Sequence, residues 1–185
     1  MLGRTGLYIG CGNGRNYLPL VAGGLDMLGL DVSAVALEQL RDTAPERASR
    51  LVCGDLRALP HAVAFDLVIG IQVFQHGNRE AAHEHVAAAQ ARLSQGGLFC
   101  IRVNHAQSDL VLPHRVIERD DDGSYSVEYL AGPKSGLLVH FFTEVEIAGL
   151  FAGYRSVLPL RRAVVQRADG RTQWSQCEAI WQKAP

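Results

Sequence analysis

Residues 65–71 (Phe-Asp-Leu-Val-Ile-Gly-Ile) are apolar at almost every position, the pattern of a strand buried on both faces. Shorter apolar runs at 7–9, 25–30, 51–53 and 98–103 read as further strands. Between them the apolar positions follow the helical period, predicting helices over 16–22, 34–41 and 79–93. In the last of these Ala82, Val86, Ala89 and Leu93 share a face. Gly23-Gly24 and Gly96-Gly97 are the expected stops of the first and third helices. Pro19 is tolerated only in a helix's first turn, so the first helix either starts late, near Asn16, or kinks. Ser33 is a good N-cap for the second. Strands alternating with helices at these lengths mean βαβ units and a mostly parallel sheet.

The alternation breaks at Asn104. From there to Phe142 no helical period is present. Residues 115–118 and 125–130 read as strands flanking Asp120-Asp121-Asp122-Gly123, a hairpin turn. In the second strand Tyr125, Val127 and Tyr129 alternate with Ser126 and Glu128, giving it one apolar face, and residues 136–142 suit a third strand. An insertion of this length in a compact α/β domain is usually functional. Helical pattern resumes with Thr143-Glu144-Val145-Glu146, a capping-box sequence, and its helix should end near Gly153. Residues 154–166 and 171–182 form an expected antiparallel strand pair joined by Ala168-Asp169-Gly170. The fold expected is α/β: a doubly wound, mostly parallel seven-stranded sheet with an antiparallel C-terminal pair and a β-rich insertion over 104–142.

Length and charge narrow the classes. A chain of 185 residues is one expected domain, long enough for a real core. Its apolar content, 48%, is that of a globular protein, and no apolar run reaches a membrane span. A formal net charge of −1 lacks the basic excess of a nucleic-acid binder. Arg161, Arg162, Arg167, Arg171 and Lys183 read as the solvated face of the terminal hairpin. Cys11, Cys53, Cys100 and Cys177 are scattered, with no zinc-like grouping, and the N-terminus shows no export signal, so a cytoplasmic location is expected.

The chemistry concentrates at Leu7-Tyr8-Ile9-Gly10-Cys11-Gly12-Asn13-Gly14. A glycine turn between strand and helix lets a ligand lie against the backbone, and the following helix start offers free N–H groups. Arg15 stands where a dinucleotide fingerprint needs its third glycine, and no G-x-x-x-x-G-K-[ST] phosphate loop is present. The G-x-G-x-G turn, with Asp31 closing the next strand, resembles the class I S-adenosylmethionine-dependent methyltransferases.

That resemblance implies S-adenosylmethionine as cofactor and assigns residues to it. Gly10, Cys11, Gly12, Asn13, Gly14 and Asn16 would pass beneath its methionine part. Asp31 would accept from the ribose hydroxyls, and Val32 would cover adenine. Asp55 would meet the adenine amine, with Leu56 beside the ring. Ile71 and Gln72 would face the ammonium group. The residues alone leave rivals open: a plain glycine turn, a helix-start Asp31, a turn aspartate at Asp55. Where the family often carries an acid two residues before the first glycine, this chain has Tyr8. The family also normally places one or two helices before the first strand, and residues 1–6 are too short for one. A second subunit covering that flank is one expectation.

Methyl transfer requires the acceptor to be positioned and desolvated, with a base only for a poor nucleophile. The candidates are His76, Asn104 and His105, with His140 behind them. Each is weighed against a structural or solvent-facing role. Tyr125, Tyr129, Phe141 and Phe142 either wall the acceptor pocket or form the insertion's own core. His83 and His85, two apart on a helix, do not share a face, and H-E-x-x-H is absent, so no metal is expected. The expected function is methyl transfer to a small-molecule acceptor, with segment 104–142 covering that site. The alternatives are a non-catalytic cofactor-binding or regulatory domain and, more distantly, a nicotinamide oxidoreductase.

Overall fold

The computed structural model describes residues 5–185, so the reading of residues 1–4 lies outside the described part. β1 (Gly6–Ile9), β2 (Met27–Asp31), β3 (Leu51–Cys53), β4 (Phe65–Ile71), β5 (Leu93–Asn104), β9 (Arg155–Gln166) and β10 (Gln173–Gln182) form one sheet in the order β3-β2-β1-β4-β5-β10-β9. The first five strands pair in parallel, and β10 runs antiparallel to both β5 and β9. Strand order reverses between β1 and β4, and ligands bind beyond the strand ends at such a reversal.

Alternate side chains of β1 explain the double winding. Leu7 and Ile9 enter one core with Phe99, Val86 and Ile147, while Tyr8 enters the other with Tyr17, Met27, Leu37 and Leu40. The helices are α1 (Tyr17–Ala22), α2 (Ala34–Thr43), α3 (Arg79–Gln90) and α4 (Glu144–Leu150). Asn16 is the N-cap of α1, so Pro19 falls in its first turn and no kink is needed. Ser33 Oγ accepts from Ala36 N at 3.2 Å, as a capping serine should.

Two helix ends differ from the pattern. The third helix stops at Gln90, and Leu93, Gly96 and Gly97 belong to β5. Arg92 is the reason: its carbonyl accepts from Phe65 N at 2.8 Å, and its guanidinium donates to the Pro60 and Leu56 carbonyls at 2.6 and 2.8 Å. Pairing with β4 therefore begins where the apolar spacing still looks helical. The last helix ends at Leu150 rather than near Gly153.

The insertion is a separate antiparallel sheet of β6 (His114–Arg119), β7 (Tyr125–Tyr129) and β8 (Leu138–Phe141). Tyr125, Val127, Tyr129, Val139 and Phe141 make its own core, and Phe142 joins the main one. All four cysteines are free thiols. No described helix is long and apolar enough to cross a membrane.

Candidate functional site

The turn after β1 is seated against the end of β2. Gly10 N and Cys11 N both donate to Leu30 O, at 2.8 and 3.2 Å. Gly12 N donates to Asp31 Oδ2 at 2.7 Å, and Ser33 N donates to Asp31 Oδ1 at 2.8 Å. Two glycines of the turn serve different ends. A Cβ on Gly14 (φ +92°) would lie 2.5 Å from Leu40 and 3.0 Å from Leu18, so this glycine lets α1 and α2 close on the turn. Gly12 (φ +53°) has nothing within 4 Å on its Cβ side, leaving that backbone face open.

A cavity of about 670 Å³ opens beyond the strand ends at the reversal. Of the residues expected at a cofactor, Gly10, Asp31, Val32, Asp55, Leu56 and Gln72 line it, together with His76. Val32 is 74% exposed there, an apolar side chain with little cover. Cys11, Gly12, Asn13, Gly14, Asn16 and Ile71 lie outside the lining. The Cys11 side chain packs in the α1–α2 core, where burial, and then the nearby Asp31 charge, push its thiol up to about 12. Asn16 hydrogen-bonds Tyr8, whose hydroxyl burial pushes up to about 12. Tyr8 is buried edge-on against Tyr17, at 6.1 Å between ring centroids, and does not enter the cavity.

Asp55 meets both of its readings. It lines the cavity, and it also caps the turn of 3-10 helix over Leu56–Ala58 by accepting from Arg57 N at 2.8 Å. Hydrogen bonds from the Arg57 side chain and backbone hold its carboxyl down at about 2.

Gln72 directly follows β4 and sits in the left-handed region, at φ 59°. A non-glycine residue held there costs roughly 1–3 kcal/mol, and such residues cluster at binding and active sites. Gln75 Nε2 donates to Gln72 Oε1 at 2.7 Å, which leaves Gln72 Nε2 buried without a partner beside the cavity. His76 follows. Burial pushes its imidazole below the ordinary histidine value, against a hydrogen bond to the Gln72 backbone, so the ring is neutral at pH 7. The insertion holds this loop from behind: His140 N donates to Gln75 O at 2.8 Å, and Gly77 N donates to Leu138 O at 2.9 Å. None of residues 105–142 lines the large cavity.

Asn104 and His105 do not reach it either. Asn104 Oδ1 accepts from Trp174 Nε1 at 3.0 Å and borders a second, smaller cavity of about 160 Å³, with Tyr129, Phe141, Lys134 and Arg167. His105 is buried, with Nε2 2.7 Å from Glu144 Oε2 and Nδ1 accepting from Gln107 N at 3.1 Å. Both were expected among the candidates for the acceptor, with His105 at the rim of the site. The strand instead continues into pairing with β10 and a bridge to Phe142, which draws them under cover. His140 is fully buried among Ser126 and Glu146.

Sequence reasoning passed over Arg57, Val73, Phe74, Glu84, His85 and Ala88, which also line the cavity. Glu84, His85 and Ala88 come from the exposed side of α3, beside the stripe of its buried Ala82, Val86 and Ala89. That face was readable: a helix following the strand at the reversal must turn one side to the core and another to the crevice.

Residues 7–97 match a family model described as a methyltransferase domain. No curated protein sequence matches the chain. Among solved structures, a methyltransferase of Methanosarcina mazei described as S-adenosylmethionine-dependent superposes with TM-score 0.72 at 17% identity, over 97% of this chain and 92% of that one. The CcbJ methyltransferase of Streptomyces caelestis gives 0.65 at 18% identity, over 98% and 89%. The 1,6-didemethyltoxoflavin-N1-methyltransferase of Burkholderia thailandensis, solved with its substrate and S-adenosylhomocysteine, gives 0.68 at 21% identity, over 98% and 71%. The order of the seven strands, the glycine turn bonded to Asp31 and the match over residues 7–97 agree. Residues 7–97 carry the match to a methyltransferase domain, and the chain has the class I S-adenosylmethionine-dependent methyltransferase fold.

Proposed function

We propose that the protein transfers the methyl group of S-adenosylmethionine to a small-molecule acceptor bound beside His76. The observation that carries the reading is the state of Asp31. Its two oxygens each take one backbone N–H, from Gly12 and Ser33, and the carboxylate stands at the cavity wall. A carboxylate has about four acceptor sites. Two remain, oriented by the backbone, and a ribose offers two adjacent hydroxyl donors. Val32 supplies an apolar surface for adenine, and Gly12 an open backbone face for the methionine part. Gln72 and Asp55 border the same ligand. When bound, the cofactor supplies an activated methyl on sulfonium; the protein's task is to orient the acceptor and keep water away.

His76 is the group we assign to the acceptor. A neutral imidazole accepts a proton, and its position after β4 is fixed by the pairing of the loop with the insertion. The insertion in this reading borders the acceptor side by holding that loop. The neighbours' printed substrates, among them 1,6-didemethyltoxoflavin and a glycopeptide, support an acceptor that is not a nucleic acid, as does the net charge of −1.

Calorimetry with S-adenosylmethionine, S-adenosylhomocysteine and NAD tests this. Micromolar binding of the first two and none of NAD is expected. Binding without transfer to any member of a small-molecule panel would favour a non-catalytic cofactor-binding domain. Failure of a well-folded sample to bind either sulfur ligand would overturn the reading.

A further inference from the structure

We propose that His83, His140 and Glu146 form a site for one divalent transition-metal ion of the zinc class, tying the inserted sheet to α3 and α4. The three residues come from α3, β8 and α4, and their ligand atoms all lie within 4.8 Å of one another. His83 Nε2 is 2.7 Å from Glu146 Oε1, and His140 Nε2 is 3.0 and 3.1 Å from the two carboxylate oxygens. The His140 and Glu146 side chains are 0% and 1% exposed, while His83, at 31%, stands at the solvent edge.

Counting hydrogens shows that positive charge is needed where His140 meets Glu146. Glu118 Oε1 accepts from Arg79 N and from Ser126 Oγ, each at 2.6 Å, so the one hydroxyl hydrogen of Ser126 is committed. Ser126 Oγ also lies 2.8 Å from His140 Nδ1 and there acts as acceptor, which places a hydrogen on Nδ1. A neutral imidazole with hydrogen on Nδ1 presents a bare lone pair at Nε2. That lone pair faces an ionised carboxylate at 3.0 Å. Two acceptors in contact repel unless positive charge lies between them, and either a second proton on His140 or a metal ion shared with His83 and Glu146 supplies it. Metal-ligating histidines are commonly oriented by a hydrogen bond from their second ring nitrogen, and here Ser126 Oγ accepts it.

Glu146 Oε1 is oversubscribed as well. Arg79 Nε at 2.8 Å, His83 Nε2 at 2.7 Å and His140 Nε2 at 3.0 Å all converge on one oxygen, which has two lone pairs. An ion about 2.0–2.1 Å from each ligand sets neighbouring ligand atoms roughly 3.3 Å apart, so the two histidine–Glu146 distances need only widen by a few tenths of an ångström, with both imidazoles turned toward the ion. The surrounding charge allows it. Arg79 is met by Asp120 at 3.3 Å and Asp122 at 3.4 Å as well as by Glu146, and Glu118 lies against its backbone. Asp120 Oδ2 is buried without a partner. Acids outnumber the single guanidinium. Two imidazoles and a carboxylate, with a fourth position open toward solvent beside His83, suit Zn²⁺.

The second histidine–acid group of the fold lacks this feature. Gln107 N donates to His105 Nδ1, so His105 Nε2 carries the hydrogen and gives it to Glu144. Burial pushes the adjacent Cys177 thiol up to about 12, and the group is complete without a cation.

None of the three proposed ligands lines the large cavity, so the site stands apart from the methyl-transfer reading. The test is titration of chelator-treated full-length protein with Co²⁺, read by visible absorption, and with Zn²⁺, read by calorimetry and thermal unfolding. One equivalent of each ion is expected to bind, with the absorption of four-coordinate Co²⁺ and a Zn²⁺-dependent rise in Tm. His83→Ala should weaken binding at least a hundredfold while its Tm in chelator matches wild type. His61→Ala, an exposed histidine elsewhere, should bind as wild type. Absence of stoichiometric binding by wild-type protein overturns the proposal, and so does unchanged binding by His83→Ala, which would mean adventitious surface imidazoles.

Discussion

The Asp31 carboxylate accepts the Gly12 backbone N–H at 2.7 Å, joining the turn after β1 to the end of β2 across 19 positions of sequence. One acid therefore shapes the glycine turn and faces the ligand with its remaining lone pairs. Asp31→Ala removes both. It should cost at least tenfold in S-adenosylmethionine affinity, about 1.4 kcal/mol or more. Asp31→Asn keeps one acceptor oxygen and should fall between the alanine variant and wild type. Calorimetry on the three proteins checks the order; equal affinities would remove Asp31 from the site.

Gly12 and Gly14 separate binding from folding. An alanine at 14 meets Leu40 at 2.5 Å with φ at +92°, so Gly14→Ala should lower unfolding free energy by about 1–3 kcal/mol through overpacking and strain. At Gly12 the Cβ meets nothing within 4 Å. Gly12→Ala should carry only the left-handed backbone cost, roughly 1–2 kcal/mol, and lose proportionately more cofactor affinity. Urea unfolding beside calorimetry reads the two effects. A Gly12→Ala protein that binds as wild type would show that the open face is not a ligand face.

These outcomes bear on what the sequence disclosed. The strand ends were legible because an apolar run bounded by glycine or aspartate states its own direction, and ligands gather at the carboxyl ends of parallel strands. Asp31, Val32, Asp55, Leu56 and Gln72, assigned through the family resemblance, stand at or just past those ends and line the cavity. Glu84, His85 and Ala88 were missed because the helical pattern of α3 was read for its core face alone. Asn104 and His105 were misplaced because a strand's last residues look the same whether they meet solvent or a neighbouring strand. Glu146 is the sharpest case. The capping-box spacing is present, and Thr143 Oγ1 does accept from Glu146 N at 3.2 Å. The glutamate carboxylate, however, turns inward to Arg79, His83 and His140, partners 67, 63 and 6 positions away. The i,i+4 rule correctly separates His83 from His85, but it is silent on ligands drawn from three different elements.

Glu178 gives a stability prediction with a defined sign. It stands opposite Arg102 of β5 and Arg161 of β9 and is bonded to both, at 2.6 Å to the nearest nitrogen of Arg102 and 2.6 Å to Arg161 Nε. Burial raises its carboxyl, but the two guanidinium hydrogen bonds outweigh it and hold it below the ordinary value. A depressed folded-state value means stabilisation that is full above the unfolded value, about 4.3, and lost as pH falls through the folded one. Glu178→Gln should therefore cost about 1–2 kcal/mol at pH 7, discounted for the half-exposed arginines. The difference should vanish in acid. Urea unfolding at pH 7, 5 and 3.5 checks it; a gap that persists undiminished at the lowest pH would assign the effect to packing.

His76 yields the last prediction and the most direct probe of the chemistry. Its ring lines the cavity and is pushed down by burial, so the base form is already present at neutral pH. For an acceptor that must lose a proton, the acid limb of kcat/KM should lie below the ordinary histidine value of about 6.5. His76→Gln keeps polarity and bulk but cannot take up a proton. It should lower kcat by roughly a hundredfold while the S-adenosylmethionine Kd shifts little, because the ring is assigned to the acceptor. The same variant should flatten the acid limb, which a merely structural loss would leave in place. An acid limb at or above 6.5, or a variant that loses cofactor binding in step with kcat, would move the base elsewhere in the cavity, to the other imidazole lining it, His85.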